Sequence, residues 1–234
     1  MRTDVAPRSY GKKPGNVQRL VVALAAVWLA TVWTANAGPA AERTIKVVAF
    51  GDSLSAGFQL PASAAFPAQL EQTLKAKGMA VEIANAGVSG DTSTAGLARL
   101  DWSVPDGTDA VILELGANDM LRGIDPKITR DALTQIVRRL KARRIEVLLC
   151  GMLAQPNLGT DYARAFNAIY PKLAGANDLV FYPFFLDGVI TDRKLTQNDG
   201  LHPPTCLKPR SSPSHSSVEP RDFTGRFRGR LRAL

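Results

Sequence analysis

The 234-residue chain is 45% hydrophobic, which excludes a disordered composition and suits one folded domain with modest ends. Its formal net charge of +8 invites a nucleic-acid reading, but residues 1–19 carry +4, residues 204–234 carry +5 and the segment between them carries −1. A near-neutral middle has no basic binding face, so nucleic acid is not an expected partner.

In chain order, Arg2, Arg8, Lys12, Lys13 and Arg19 precede a 14-residue apolar run, Leu20–Trp33, and then Ala35-Asn36-Ala37. A basic region, an apolar stretch and small residues at a cleavage position make a secretory signal peptide over residues 1–37. Cleavage is expected near Ala37, with Ala40 or Ala41 as alternatives. The apolar run is short for a membrane span, which needs ~20 residues. An uncleaved anchor is the competing reading. The expected location is periplasmic or secreted, with no membrane span after cleavage.

Strands and helices then alternate. Thr44–Phe50 reads as a strand ending at Gly51, and Phe66–Lys77 as a helix ended by Gly78. Val81–Ala86 is a second strand, Ser93–Leu100 a short helix and Asp109–Leu115 a third strand. Pro126–Arg143 is an amphipathic helix with Ile128, Leu133, Ile136, Val137 and Leu140 on one face. Ile145–Cys150 is a fourth strand. Thr160–Leu173 is one helix, capped by Thr160 or Asp161, and Leu179–Phe184 is a fifth strand. Its aromatic residues Phe181, Tyr182, Phe184 and Phe185 are assigned to the core in preference to an acyl site. Cys150 closes an apolar run as a buried small hydrophobe. A disulfide with Cys206 is the alternative. Alternation of this kind implies a parallel sheet with helices on both faces, whose ligands bind beyond the carboxyl ends of the strands.

Those ends carry chemistry. Gly51-Asp52-Ser53 is a small-residue turn that presents a serine. A serine hydroxyl needs a base to take its proton, and His202 is the candidate, since the other histidine, His215, lies in a Ser/Pro-rich tail. In Asp199-Gly200-Leu201-His202 the spacing lets Asp199 hold one imidazole nitrogen while the other faces Ser53. An oxyanion forming on an acyl carbonyl needs preorganised donors. The Gly90 N–H, the Asn118 side-chain amide and the Ser53 N–H are the candidates. Asp91 and Asp119 read as structural, and Asp52 as support for the turn. No cluster of Cys, His or acidic residues accompanies the Asp199/His202 pair, so no metal is expected.

Gly51-Asp52-Ser53-Leu54 resembles the first sequence block of the GDSL/SGNH hydrolase family. Asn85–Asp91 (NAGVSGD) resembles the second, with Gly90 at its oxyanion glycine. Gly116-Ala117-Asn118-Asp119 resembles the third, and Asp199-x-x-His202-Pro203 the fifth. The likeness covers residues 44–203. Gly51–Gly57, Gly90–Leu100, Asn118–Gly123 and Ala168–Ala174 are similar to the subgroup of bacterial thioesterase I/lysophospholipase L1-type enzymes and arylesterases. The resemblance implies an α/β fold, a three-layer α/β/α sandwich on a central parallel five-stranded sheet with flavodoxin-like strand order. It implies an enzyme without metal or cofactor that acts on acyl esters, thioesters and lysophospholipids, and a monomer is the expected state. It also implies that the loop Gly151–Gly159, with Leu153 and Leu158, and the segment at Met120-Leu121 line an acyl groove.

The chain departs from the family after Pro203. In place of a final amphipathic helix, residues 204–234 are rich in proline, serine and arginine, and proline opposes a helix. The expected C-terminal helix is therefore read as missing, through a frameshift or as a disordered basic tail. Two other functions compete with the acyl esterase: a carbohydrate O-acetylesterase, and an inactive exported protein damaged at its C-terminus.

Overall fold

The structure, a computed structural model, describes residues 43–189, 197, 202 and 229–231. The expected signal peptide, Asp199 and residues 203–228 and 232–234 lie outside the described residues.

Five strands form one parallel sheet: β1 (Ile45–Gly51), β2 (Val81–Asn85), β3 (Ala110–Glu114), β4 (Glu146–Cys150) and β5 (Val180–Tyr182). Their order is β2-β1-β3-β4-β5, the flavodoxin-like arrangement expected from the sequence. β1 and β3 lie inside the sheet and are covered on both faces, which is why they read as apolar runs without alternation. Every residue of β3 is buried, including Glu114.

The helices are α1 (Ser53–Ala56), α2 (Phe66–Ala76), α3 (Ser93–Ser103), α4 (Ala117–Leu121), α5 (Pro126–Ala142), α6 (Thr160–Asn167) and α7 (Ile169–Asn177). α1 and α4 were not expected. Each is one short turn of helix directly after a strand, too brief for a hydrophobic period to reveal. α5 starts where Asp125 accepts a hydrogen bond from the Lys127 N–H at 2.8 Å, with Pro126 in its first turn. Leu133, Ile136, Val137 and Leu140 are buried as expected, but Ile128 is 50% exposed. Thr129 takes the inward place in that turn, donating its hydroxyl to Asp119 at 3.0 Å.

The single helix expected over Thr160–Leu173 is two, broken at Ala168. Pro171 explains the break, because it has no N–H for the Asn167 carbonyl one turn earlier. The Asn167 side chain instead accepts from the Ala154 N–H at 2.7 Å. Gly159 occupies the cap position expected for Thr160 or Asp161, with no side-chain cap. β5 is three residues long and Pro183 follows it. Beyond it Phe185 is buried with its ring edge-on to Phe66 at 5.2 Å, and Phe181, Tyr182 and Phe184 pack against the core. Cys150 is buried and its thiol is free.

Residues 229–231 are helical. Leu231 is fully buried in the core, and Arg230 pairs with Glu146 at 3.2 Å and Asp178 at 2.7 Å. Three residues of the segment read as lacking a packing helix therefore sit against the amino ends of β4 and β5.

Candidate active site

The chain turns from β1 straight into α1. Asp52 caps α1, its Oδ1 accepting from the Leu54 N–H at 3.0 Å. Ser53 is thereby the first residue of the helix and half-buried. Gly57 closes the turn at φ +78°, a left-handed conformation glycine adopts without steric cost. Asp52 is fully buried. Burial pushes its carboxyl up to about 6, against the lowering effect of the Leu54 N–H, the Asn118 amide and the nearby His202.

His202 lies across the chain from this turn, its Nε2 2.8 Å from Ser53 Oγ. The Phe58 ring packs on the imidazole, centroids 4.8 Å apart and tilted by 38°. Gln197 ties the same segment down: its Nε2 donates to the Phe58 carbonyl at 2.9 Å, and its N–H to the His202 carbonyl at 2.6 Å. The imidazole can take a proton from the serine at this distance. Asp199, read from sequence as its orienting acid, lies outside the described residues.

The other two candidate oxyanion donors, Gly90 and Asn118, are tied to the serine turn. The Val88 N–H donates to the Gly51 carbonyl at 3.0 Å. Gly87 packs so tightly on α1 that a side chain there would overlap the Ala56 backbone. Gly90 adopts φ +86°, and its carbonyl accepts from Arg122 Nη2 at 2.7 Å. Asn118, in the first turn of α4, donates Nδ2 to Asp52 Oδ2 at 3.0 Å. An amide nitrogen carries two hydrogens, so one group can serve Asp52 and an oxyanion together.

Sequence reasoning missed Arg99, which is 7% exposed. Its guanidinium donates to the Gly51 carbonyl at 2.9 Å, the Ala86 carbonyl at 2.8 Å, Ser103 Oγ at 3.0 Å and Asp91 at 2.5 Å. It also lies 4.2 Å from the centre of the Phe50 ring. One side chain thus staples the serine turn to the Gly90 loop. The available signal was an arginine on the same helical face as Gly96, Leu100 and Ser103. Asp119 is structural, as the sequence reading had it. It accepts from the Ser93 N–H at 2.7 Å, the Ser93 hydroxyl at 2.5 Å and the Thr129 hydroxyl. Leu153 is 43% exposed in the loop after β4, whereas Leu158 turns toward the core. Met120 is buried and Leu121 exposed. Among the described residues no group of three His, Cys, Asp or Glu side chains is arranged to hold a metal ion.

A three-layer fold that gathers a serine, a histidine and amide groups beyond the carboxyl ends of a parallel sheet's strands defines a class of carboxylic ester hydrolases. The model of the GDSL-like Lipase/Acylhydrolase family matches residues 49–205, and the chain belongs to that family. It is 43% identical over 160 residues to "Thioesterase 1/protease 1/lysophospholipase L1" of Escherichia coli K12, covering 68% of this chain and 76% of the relative. It is 39% identical over 175 residues to "Arylesterase" of Vibrio mimicus, covering 74% and 86%. Among solved structures, AlinE4, described as an SGNH-hydrolase family esterase, superposes with a TM-score of 0.63 at 38% identity, covering 83% of this chain and 99% of AlinE4. The chain is an esterase of the SGNH type.

Proposed function

We propose that the chain hydrolyses small acyl esters and thioesters, lysophospholipids included, through an acyl-enzyme on Ser53. Ser53 Oγ attacks the acyl carbonyl carbon while His202 Nε2 takes its proton. The oxyanion is held by the N–H groups of Ser53 and Gly90 and by the Asn118 amide. His202 then gives the proton to the departing alcohol or thiol, and the acyl group remains on Ser53. Water, deprotonated by His202, attacks that ester and releases the acid and free Ser53. Asp199 is assigned to hold the imidazole tautomer. The observation that carries this reading is the 2.8 Å approach of His202 Nε2 to Ser53 Oγ.

A fluorophosphonate probe labels only an activated serine. Labelling of the purified protein, abolished in Ser53→Ala and His202→Ala, is the expected result. Turnover of p-nitrophenyl butyrate by folded Ser53→Ala at the wild-type rate sinks the assignment. Leu153, exposed after β4, is proposed to touch the acyl chain. A chain-length profile unmoved by Leu153→Trp removes it. Activity confined to acetylated sugars would point instead to a carbohydrate O-acetylesterase.

We also propose that the protein is exported and cleaved near Ala37, then acts as a monomer in the periplasm or outside the cell. The basic and apolar order of residues 2–33 supports this. No helix among the described residues is long and apolar enough to cross a membrane. N-terminal sequencing of the exported protein tests the cleavage, and a start at Met1 refutes it.

A further inference from the structure

Glu114 closes β3 and is fully buried, yet it has no part in the chemistry above. A glutamate inside a parallel sheet is an exception to the apolar rule and needs a reason. Its Oε2 accepts from the Ser55 hydroxyl at 2.8 Å and from the Asp52 N–H at 3.4 Å. These donors belong to the residue before Ser53 and to the residue two after it. The carboxyl therefore grips the serine turn from below on both sides. Gly51 makes room for the grip, since a Cβ there would overlap Ser55 Oγ and Glu114 Oε2.

The second oxygen, Oε1, is buried and meets no donor. An ionised carboxylate would leave that oxygen charged and unsolvated, which is costly. It would also face Asp52, a buried carboxyl whose two oxygens serve the Leu54 N–H and the Asn118 amide. Burial and the Asp52 charge both push the Glu114 carboxyl well above the usual carboxylate range. Asp52 thus has a donor on each oxygen, whereas Glu114 has donors on one alone.

We propose that Glu114 is a positioning residue for the nucleophile, holding the Asp52 N–H and the Ser55 hydroxyl as a neutral acid and so fixing the turn that presents Ser53 to His202. The proposal rests on the reading of Ser53 as nucleophile.

The test compares Glu114→Gln, Glu114→Leu and Ser55→Ala in the full chain. Each is assayed for kcat and KM on p-nitrophenyl butyrate, for the rate of fluorophosphonate labelling and for thermal unfolding. Gln keeps the shape and the acceptor without ionising, and is expected to retain kcat within about threefold. Leu removes the acceptor at similar volume. It is expected to lower kcat about ten- to a hundredfold and slow labelling in parallel, with KM within about twofold. Ser55→Ala is expected to lower kcat about tenfold. A Gln variant as damaged as Leu overturns the neutral-acid role. A Leu variant with wild-type kcat and only a lower unfolding midpoint overturns positioning altogether. If Glu114→Leu does not fold, Ser55→Ala decides: unchanged kcat there overturns the proposal. Ser53→Ala runs alongside. Turnover by that control would refute the nucleophile reading itself, and is distinct from any result at Glu114.

Discussion

The Asn118 amide donates to the Asp52 carboxylate at 3.0 Å, so a candidate oxyanion donor is fixed by the residue immediately before the candidate nucleophile. Serine and amide then cannot drift independently: a movement of α1 carries the acceptor that orients Asn118. Asn118→Ala is expected to lower kcat about 10²–10³-fold with little change in KM, the signature of an interaction made in the transition state. Asp52→Ala is expected to lower kcat as well, though Asn118 is still present. Steady-state kinetics on an aryl ester checks both.

Asp52 also makes a pH prediction. Its carboxyl is raised from 3.8 to about 6 by burial, so the folded state binds its proton more tightly than the unfolded chain. A raised acid contributes stability fully present below its unfolded value and lost as pH rises through the folded one. Wild type should therefore lose stability relative to Asp52→Asn, which cannot ionise, between about pH 4 and about pH 7. Urea unfolding of the two proteins across that window measures the difference. A constant gap would show that Asp52 does not titrate there.

Arg99 joins four segments. Arg99→Ala removes the partner of Asp91, whose side chain is only 13% exposed. The expected cost is about 3–5 kcal/mol, mostly from a buried carboxylate left unpaired. Arg99→Lys keeps the charge but not the fork that reaches Gly51, Ala86, Ser103 and Asp91 together. It should fold with a smaller loss of stability and a reduced kcat. Denaturant midpoints and turnover separate the two variants.

Gly116, immediately before α4, adopts φ +118°, and a Cβ there would collide with Tyr170 Oη. That hydroxyl cannot yield freely, because it donates to the Leu115 carbonyl at 2.9 Å. Gly116→Ala is expected to cost about 2–4 kcal/mol through overpacking and backbone strain. Thermal unfolding checks it.

At the other end of the sheet, Leu231 and Arg230 should differ sharply in effect. Leu231→Ala empties a fully buried site and is expected to cost about 2–4 kcal/mol. Arg230→Ala breaks ion pairs in which Arg230 is 39% exposed, worth about 1 kcal/mol or less. Equal effects in urea unfolding would mean that the C-terminal turn does not dock as described.

Most elements were legible because parallel strands appear as short apolar runs and α5 as a clean helical period, whereas the strand order followed only from the resemblance to the family. Ser53, His202, Gly90 and Asn118 could be named as candidates because each follows a strand or sits in a block of recognisable spacing. Arg99 and Glu114 were not. Their partners are backbone carbonyls, a backbone N–H and small side chains distant in sequence, and no local pattern records such contacts. The break between α6 and α7 was written in Pro171, but the apolar period running through it concealed the lost hydrogen bond. Ile128 kept the period of α5 and still faces solvent, because Thr129 was needed against Asp119.

The sheet order has a kinetic consequence. β1 comes first in sequence but lies between β2 and β3, so the serine's strand has no complete hydrogen-bonding frame until residues near 114 have joined it. The contact from Ser53 to His202 then closes a separation of 149 residues. Contacts so far apart in sequence form slowly, because the loop entropy is lost before the contact rewards it. During refolding, esterase activity should thus return after sheet circular dichroism has recovered, making the nucleophile itself a clock for the last stage of assembly.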